Sequence, residues 1–210
     1  MNILLLGANG FIGSAILEEL SKNNDLTITC ITRKPVFDDV KADNVNWLQL
    51  DVLSNKSRFQ RIINESDIVI NTIGELDKPA LMTRTNFELV KEIVDLMLAS
   101  KGKKRLIQVS SVGCYGAINR FIGQEITIKE DDTEYPIGLY EETKTKADNY
   151  IKANLADSDH CSYSILRPTN VFGPGMKSKA ILGLAFMVKK GRFFTLLIAP
   201  QFRLMCMSEM

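Results

Sequence analysis

The first strand and turn of the chain are encoded by residues 2–13, Asn2-Ile3-Leu4-Leu5-Leu6-Gly7-Ala8-Asn9-Gly10-Phe11-Ile12-Gly13. A short, continuous apolar run bounded by glycines is typical of a buried β-strand. The residues that follow, from Ile12 to Leu20, repeat their apolar side chains at helical spacing. This stretch therefore predicts a strand, a glycine turn and a helix in direct succession, which is how a doubly wound α/β fold begins.

The glycines of this turn form a GxxGxxG pattern, and each has a separate physical role. Gly7 permits the tight turn, Gly10 lets the backbone approach a pyrophosphate, and Gly13 lets the helix pack closely on the strand. Free N–H groups at the start of the helix then bind phosphate oxygens. The pattern predicts a dinucleotide site formed by Gly7, Asn9, Gly10, Phe11, Ile12 and Gly13; the alternative is a glycine-rich turn without a ligand.

Beyond this turn, short apolar runs alternate with longer amphipathic segments. Further strands are predicted over residues 26–32, 47–50, 68–70, 106–109 and 163–166, and further helices over residues 87–99 and 140–155. This alternation predicts the α/β class, with a Rossmann-type doubly wound parallel sheet between two layers of helices. Residues 118–136 form the long irregular stretch of the sequence and are expected to be a surface loop.

The composition is that of an ordinary globular protein, with 210 residues and a formal net charge of +1. A near-neutral chain offers no field for nucleic acid or an anionic membrane, so neither is an expected partner. The cysteines at positions 30, 114, 161 and 206 form no CxxC pair, and His160 is the one histidine. Reduced thiols and no metal site are therefore expected. Without a signal peptide or an uninterrupted apolar span, a cytoplasmic protein without membrane insertion is expected.

The end of the second predicted strand, Cys30-Ile31-Thr32-Arg33-Lys34, indicates which dinucleotide is bound. NAD-binding folds place Asp or Glu at this point for the ribose hydroxyls, whereas an arginine suits the 2′-phosphate of NADP. No carboxylate is present here, and the guanidinium of Arg33 matches the shape and charge of a phosphate. NADP is therefore favoured over NAD; the alternative is that Arg33 and Lys34 are only solvated.

A second group of residues carries acid–base chemistry. The strand over residues 106–109 leads into Ser110 and Ser111, and Tyr140-Glu141-Glu142-Thr143-Lys144 is a YxxxK pattern. Positions i and i+4 share one face of a helix, so Tyr140 and Lys144 can face one cleft together. A nearby ammonium, together with the positive nicotinamide ring, would favour the phenolate form of tyrosine. Ser111 can hydrogen-bond the substrate oxygen that gains or loses a proton. YxxxK alone arises by chance, but its place after GxxGxxG indicates catalysis.

In this order, the motifs resemble the extended short-chain dehydrogenase/reductases of the NAD(P)-dependent epimerase/dehydratase type. The resemblance extends from Asn2 to about Phe194. Besides the glycine turn, the serines and the YxxxK pattern, it rests on Asp51-Val52, Asn71-Thr72-Ile73-Gly74, Asn86, Tyr115-Gly116 and Leu166-Arg167-Pro168-Thr169-Asn170-Val171-Phe172-Gly173-Pro174-Gly175.

The resemblance implies a role for each matching residue. Ser111 would be the catalytic serine and Tyr140 the acid/base, while Lys144 would lower the pKa of Tyr140 and hold the nicotinamide ribose. The remaining cofactor contacts would come from Asp51 and Val52 at the adenine and from Thr72, Ile73 and Gly74, and Asn170 would lie near the substrate.

The resemblance further implies hydride transfer between nicotinamide and a carbon of a nucleotide sugar, in a polysaccharide pathway. An epimerase or a ketone reductase is expected; dehydration is less favoured, because Val112 and Gly113 follow Ser111 where dehydratases usually carry an acidic pair. A homodimer through the long helices is also implied. The alternatives are an NADP-binding remnant without turnover and a structural or redox-sensing subunit of the same fold.

The C-terminal part departs from the family pattern. Relatives are usually longer and carry a Val-His-Val-x-Asp-Val stretch, whereas this chain continues from Thr195 to Met210 with an unrelated sequence. Another reading frame of that segment is compatible with the family stretch, so a frameshift near Phe194 and a truncated substrate lobe are expected. The expected division is a Rossmann domain over residues 1–175 and the start of the substrate-binding part over residues 176–210.

Overall fold

A computed structural model describes residues 1–33, 42–116 and 127–176, together with a few positions between 183 and 190. Its strands form one parallel sheet with the order β3-β2-β1-β4-β5-β6. The strands are β1 (Asn2–Leu6), β2 (Thr27–Thr32), β3 (Val45–Gln49), β4 (Ile68–Asn71), β5 (Lys104–Val109) and β6 (Cys161–Leu166). The sheet confirms the predicted α/β class.

Helices cover the sheet on both faces. They are α1 (Phe11–Leu20), α2 (Lys56–Glu65), α3 (Pro79–Met82), α4 (Leu89–Leu98) and α5 (Leu139–Leu155), with a π-helical segment (Thr83–Glu88) between α3 and α4 and a 3-10 turn (Val112–Tyr115) after β5. Successive residues of a strand point to opposite faces, so Leu4 and Leu6 pack with α2, α4 and α5, whereas Ile3 and Leu5 pack with α1. Burial on both faces explains why β1 is apolar throughout.

The strand order reverses at β1, and this reversal positions the candidate site. Leu6, the last residue of β1, lies beside Ile31 of β2 on one side and Asn71 of β4 on the other. The carboxyl ends of these parallel strands therefore meet at one edge, which is where open α/β sheets bind ligands. Gly7, Thr32 and Thr72 begin the loops at that edge.

The predicted helices do not include α2, α3, the 3-10 turn or the first part of the π-helical segment. In α2, apolar residues are few, but Phe59, Ile62 and Ile63 are buried, and the Asn55 side chain accepts a hydrogen bond from the Arg58 N–H at 3.3 Å. An Asn cap four residues before the first of these apolar residues is the signal that could have revealed this helix. The π-helical segment has no comparable sequence signal.

Several sequence predictions fall outside the described residues: Lys34, Cys206, the first part of the 118–136 loop and the segment from Thr195 to Met210. Residues 127–136 of the loop contain neither helix nor strand, as predicted. Within the part of the chain that the structure describes, no helix is long and apolar enough to span a bilayer. The same residues bring together no group of His, Cys, Asp or Glu side chains suited to a metal ion.

Candidate functional site

The glycine turn after β1 has no room for side chains at two of its positions. Gly7 has a φ of +86°, and a Cβ there would lie 2.4 Å from the Thr72 Oγ1. A Cβ on Gly13 would lie 2.1 Å from the Gly7 carbonyl oxygen, which no real contact allows. A Cβ on Gly10 would lie 3.1 Å from the Gly7 carbonyl oxygen, which is a tight but tolerable distance. The turn is thus a bare backbone surface at the start of α1, suited to phosphate oxygens.

A cavity of about 240 Å³ opens beside this turn at the carboxyl edge of the sheet. Its floor is apolar, and its polar groups come from separate loops. Its lining includes Gly7, Asn9, Thr32, Arg33, Asp51, Val52, Ile73, Leu81, Arg84, Thr85 and Leu89. An apolar cavity with a few convergent polar groups has the character of a small-molecule binding site.

Arg84 is a cavity residue that sequence reasoning missed. It lies in the π-helical segment, where the Leu89 N–H donates to the Arg84 carbonyl, and its guanidinium is 4.0 Å from the Asp51 carboxylate. π-helical segments often occur at functional sites. Arg33 and Arg84 together give the cavity two cationic side chains against one carboxylate.

The loop after β4 connects this cavity to the YxxxK residues. The Thr72 hydroxyl donates to the Leu6 carbonyl at 2.8 Å. Thr72 therefore packs against the end of β1 and the glycine turn, and it does not line the cavity. A Cβ on Gly74 would lie 3.2 Å from the Lys144 Nζ. Gly74 therefore leaves room for the lysine, and Ile73 contributes to the cavity wall.

Lys144, on α5, is almost completely buried, and its side chain extends toward the loops after β4 and β5. Its Nζ donates to the carbonyl oxygens of Val109 at 3.0 Å and Ile73 at 3.4 Å. Burial lowers the pKa of Lys144 to about 8, and the negative charge of Asp148 only partly offsets that effect. The ammonium is thus fixed at the junction of β4, β5 and α5.

Tyr140 lies one turn before Lys144 on the same helix and faces Ser111. Burial raises the pKa of Tyr140, hydrogen bonding with the Ser111 side chain lowers it, and the negative charges of Glu141 and Asp148 raise it. The lowering of this pKa by Lys144, which the resemblance implied, is not produced by the protein groups. Lys144 directs its N–H groups to backbone carbonyls instead, so only an added positive charge would favour the phenolate.

A buried polar network lies beside Tyr140 and Lys144 on α5. Asp148, one further turn along α5, accepts hydrogen bonds from the Ser110 hydroxyl at 2.8 Å and from the Arg167 Nε at 3.0 Å. The remaining guanidinium nitrogens of Arg167 donate to Tyr115 and Glu134. Because charges inside a protein need partners, this network fixes the positions of β5, β6, α5 and the loop before α5 relative to one another.

A model of the NAD dependent epimerase/dehydratase family matches residues 3–199 of this sequence. The chain belongs to the NAD dependent epimerase/dehydratase family. The match includes both the glycine turn and the Ser111–Tyr140–Lys144 group, and it confirms the family resemblance of the sequence motifs.

Relatives in this family act on different substrates. The chain is 26% identical over 202 residues to UDP-glucose 4-epimerase of Vibrio cholerae, covering 90% of this chain and 57% of that protein. It is also 26% identical over 207 residues to the decarboxylating sterol-4-alpha-carboxylate 3-dehydrogenase of Candida albicans, covering 91% of this chain and 56% of that protein. The chain thus spans a little over half the length of these relatives.

Solved structures of similar fold include nucleotide-sugar enzymes. UDP-glucuronic acid 4-epimerase from Bacillus cereus in complex with NAD superimposes with a TM-score of 0.69 and 20% identity, covering 84% of this chain and 58% of that chain. MoeE5 in complex with UDP-glucose and NAD gives a TM-score of 0.71 and 22% identity, covering 90% and 60%. These likenesses confirm the fold.

Most of the family residues predicted from sequence converge in space. Gly7, Asn9, Arg33, Asp51, Val52 and Ile73 share the cavity, and Lys144 connects it to Tyr140 and Ser111. Gly13 is buried behind the turn, and Phe11 and Ile12 open α1. Asn170 is exposed on the segment after β6, where the structure does not join it to Ser111 or Tyr140.

The burial of Lys144 predicts a pH-dependent stability difference. Its pKa falls from about 10.5 in the unfolded chain to about 8, so between these values the unfolded state binds the additional proton and stability rises with pH. Relative to Lys144→Met, the wild type should gain roughly 3 kcal/mol of unfolding free energy from pH 8 to pH 10.5. Urea denaturation of both proteins across this range measures the gain; a constant difference would contradict the assignment.

Proposed function

We propose that this chain carries the cofactor half and the acid–base group of a nucleotide-sugar epimerase or ketone reductase. The single observation that carries the proposal is the position of Lys144. Its ammonium lies between the Ile73 carbonyl at the cavity and the Val109 carbonyl just before the serines, on the helix that bears Tyr140. A dinucleotide extending from the cavity past Ile73 would bring its far end to Tyr140 and Ser111.

The residues present fit such a dinucleotide. The turn at Gly7 and Gly13 leaves backbone where side chains would clash, and the cavity supplies an apolar surface for an aromatic base. Asp51 offers a carboxylate for an exocyclic amine, and Lys144 offers N–H groups for ribose hydroxyls. When bound, the nicotinamide supplies the hydride acceptor or donor and a positive charge in its oxidised form.

In the proposed reaction, side chains of this protein transfer the proton. Ser111 donates a hydrogen bond to the substrate oxygen, and Tyr140 takes the hydroxyl proton as the carbon loses its hydride. In the reverse direction Tyr140 returns that proton to the carbonyl oxygen. Because Lys144 directs its N–H groups to backbone carbonyls, the phenolate that burial disfavours would need the positive charge of an oxidised cofactor, and Tyr140 would become an effective acid/base group only with that cofactor bound.

We also propose that NADP is preferred to NAD, through Arg33. Replacing Arg33 with alanine should raise the Kd for NADPH by about tenfold or more and change the Kd for NADH by less than about threefold, since a charge-assisted contact to the 2′-phosphate is lost. Titration of nucleotide fluorescence measures both constants. Arg61→Ala, on the exposed face of α2, is the matched control. Equal changes for the two nucleotides would overturn the preference.

Hydride transfer to bound cofactor tests the proposed reaction. The chain is mixed with NADP or NAD and a panel of UDP-sugars, and absorbance at 340 nm is followed through a single turnover. The proposal expects reduced cofactor with at least one sugar nucleotide. Cofactor binding without reduction by any of them would instead support an NADP-binding protein without turnover.

The proposal also includes a domain division and an oligomeric state. The cofactor-binding part would extend to about residue 175, with residues from 176 onward contributing to the substrate-binding part. A homodimer would form through the long helices α4 and α5. Sedimentation equilibrium at micromolar concentration measures that association.

A further inference from the structure

Glu141 is a carboxylate beside the catalytic group that the proposed reaction does not use. It follows Tyr140 in the first turn of α5 and is half-buried. Its Cγ lies 2.9 Å from the position that a Cβ on Gly113 would take, and its Oε1 lies 3.6 Å from that position. Glu141 can occupy this position because Gly113 has no side chain with which it would clash.

Ser111 also lies beside the space that a side chain on Gly113 would fill. The Ser111 Oγ lies 3.3 Å from the point where a Cβ on Gly113 would be. The hydroxyl of Ser111 and the carboxylate of Glu141 thus border one small space. The negative charge of Glu141 also reaches the phenol, because it is one of the charges that raise the pKa of Tyr140.

No side chain in the described part of the chain pairs with this carboxylate. Within the described residues, Glu141 makes no hydrogen bond or ion pair. The described cations Lys144 and Arg167 have other partners. Lys144 donates to backbone carbonyls, and Arg167 contacts Asp148, Glu134 and Tyr115. With a substrate oxygen at Ser111, the charge of Glu141 would act on any charge that the substrate carries there.

We propose that Glu141 selects substrates by charge, favouring neutral or cationic sugars over sugars that carry a carboxylate. The inference rests on the proposed function, since it requires a sugar at Ser111 and Tyr140. Like charges in a partly buried site repel one another, and specificity often depends on such a repulsive element. Glu141 would therefore act on binding of the sugar and leave cofactor binding unchanged.

Binding of three probes tests this selection. UDP-glucose, UDP-glucuronic acid and UDP-glucosamine are titrated calorimetrically into the NADPH-loaded chain at low salt, where charge effects are least screened. The wild type should bind UDP-glucose about tenfold more tightly than UDP-glucuronic acid. Glu141→Gln should largely remove that preference and should weaken UDP-glucosamine, whose amine is cationic.

Glu142→Gln is the matched control, because Glu142 lies in the same helical turn but is exposed. It should leave all three affinities within about twofold of the wild type. The inference is overturned if Glu141→Gln keeps the wild-type ratio, or if both variants shift the ratio equally through a general effect at the helix N-terminus. If the wild type binds NADPH but none of the three sugar nucleotides, the proposed function fails, and the inference fails with it.

Discussion

Gly13→Ala is expected to raise the Kd for NADPH at least ~100-fold and to lower the unfolding free energy by roughly 1–3 kcal/mol. The added methyl group would lie 2.1 Å from the Gly7 carbonyl oxygen and 2.6 Å from its carbonyl carbon. Both are backbone atoms of the turn, so α1 must move away from β1 to relieve the clash. That movement displaces the N–H groups on which phosphate binding depends.

Two further alanine variants make this prediction specific. Gly10→Ala meets only the Gly7 oxygen at 3.1 Å, so its loss of stability should be smaller. Gly183 has no neighbour within 4 Å among the residues that the structure describes, and it serves as the neutral control. Thermal melts and calorimetric titrations measure stability and affinity separately. A Gly13→Ala protein that binds NADPH within a few-fold of the wild type would show that this turn is not the phosphate site.

Tyr140→Phe is expected to reduce hydride transfer by about 10³-fold and to change the Kd for the cofactor by less than about threefold. The substitution removes only the hydroxyl, so packing of the ring beside Ser111 is retained. Without the hydroxyl, the proton of the substrate alcohol has no acceptor in the transition state. Single-turnover absorbance at 340 nm with the best sugar nucleotide measures the rate.

Tyr163→Phe, on β6, is the matched control, because its half-buried ring packs against the core far from Ser111. It should transfer hydride at the wild-type rate. Equal rates for Tyr140→Phe and the wild type would remove Tyr140 from the acid–base role. A parallel loss of cofactor affinity would instead indicate that Tyr140 holds the nucleotide.

The parts of the site that follow from local chemistry could be predicted from the sequence. Gly7 and Gly13 are required by contacts within one strand–turn–helix unit, and the sequence pattern expresses that requirement directly. Asp51 and Ile73 follow strands, and parallel strands bring their carboxyl ends to one edge. Tyr140 and Lys144 lie on one helix, so their spacing alone predicts that they share a face.

The parts that depend on contacts between distant segments could not be predicted. Arg84 lines the cavity from a π-helical segment, and no residue pattern in the sequence predicts that segment. Glu141 lies beside Ser111 only because Gly113, on another element, leaves space for it. The interaction of Arg167 with Asp148 joins β6 to α5 across a buried interface, and neither residue alone signals it. Burial also raises the pKa of Tyr140, an effect that no spacing rule contains.

Calorimetric titration of the 210-residue chain with NADPH and, in parallel, NADH tests the central claim most directly. The cavity, the glycine turn and Lys144 together predict one saturable site per chain, with tighter binding of NADPH. Tighter binding of NADH would retain the site and reverse the role of Arg33. A monodisperse protein that melts cooperatively but binds neither nucleotide would contradict the assignment of this cavity as a dinucleotide site.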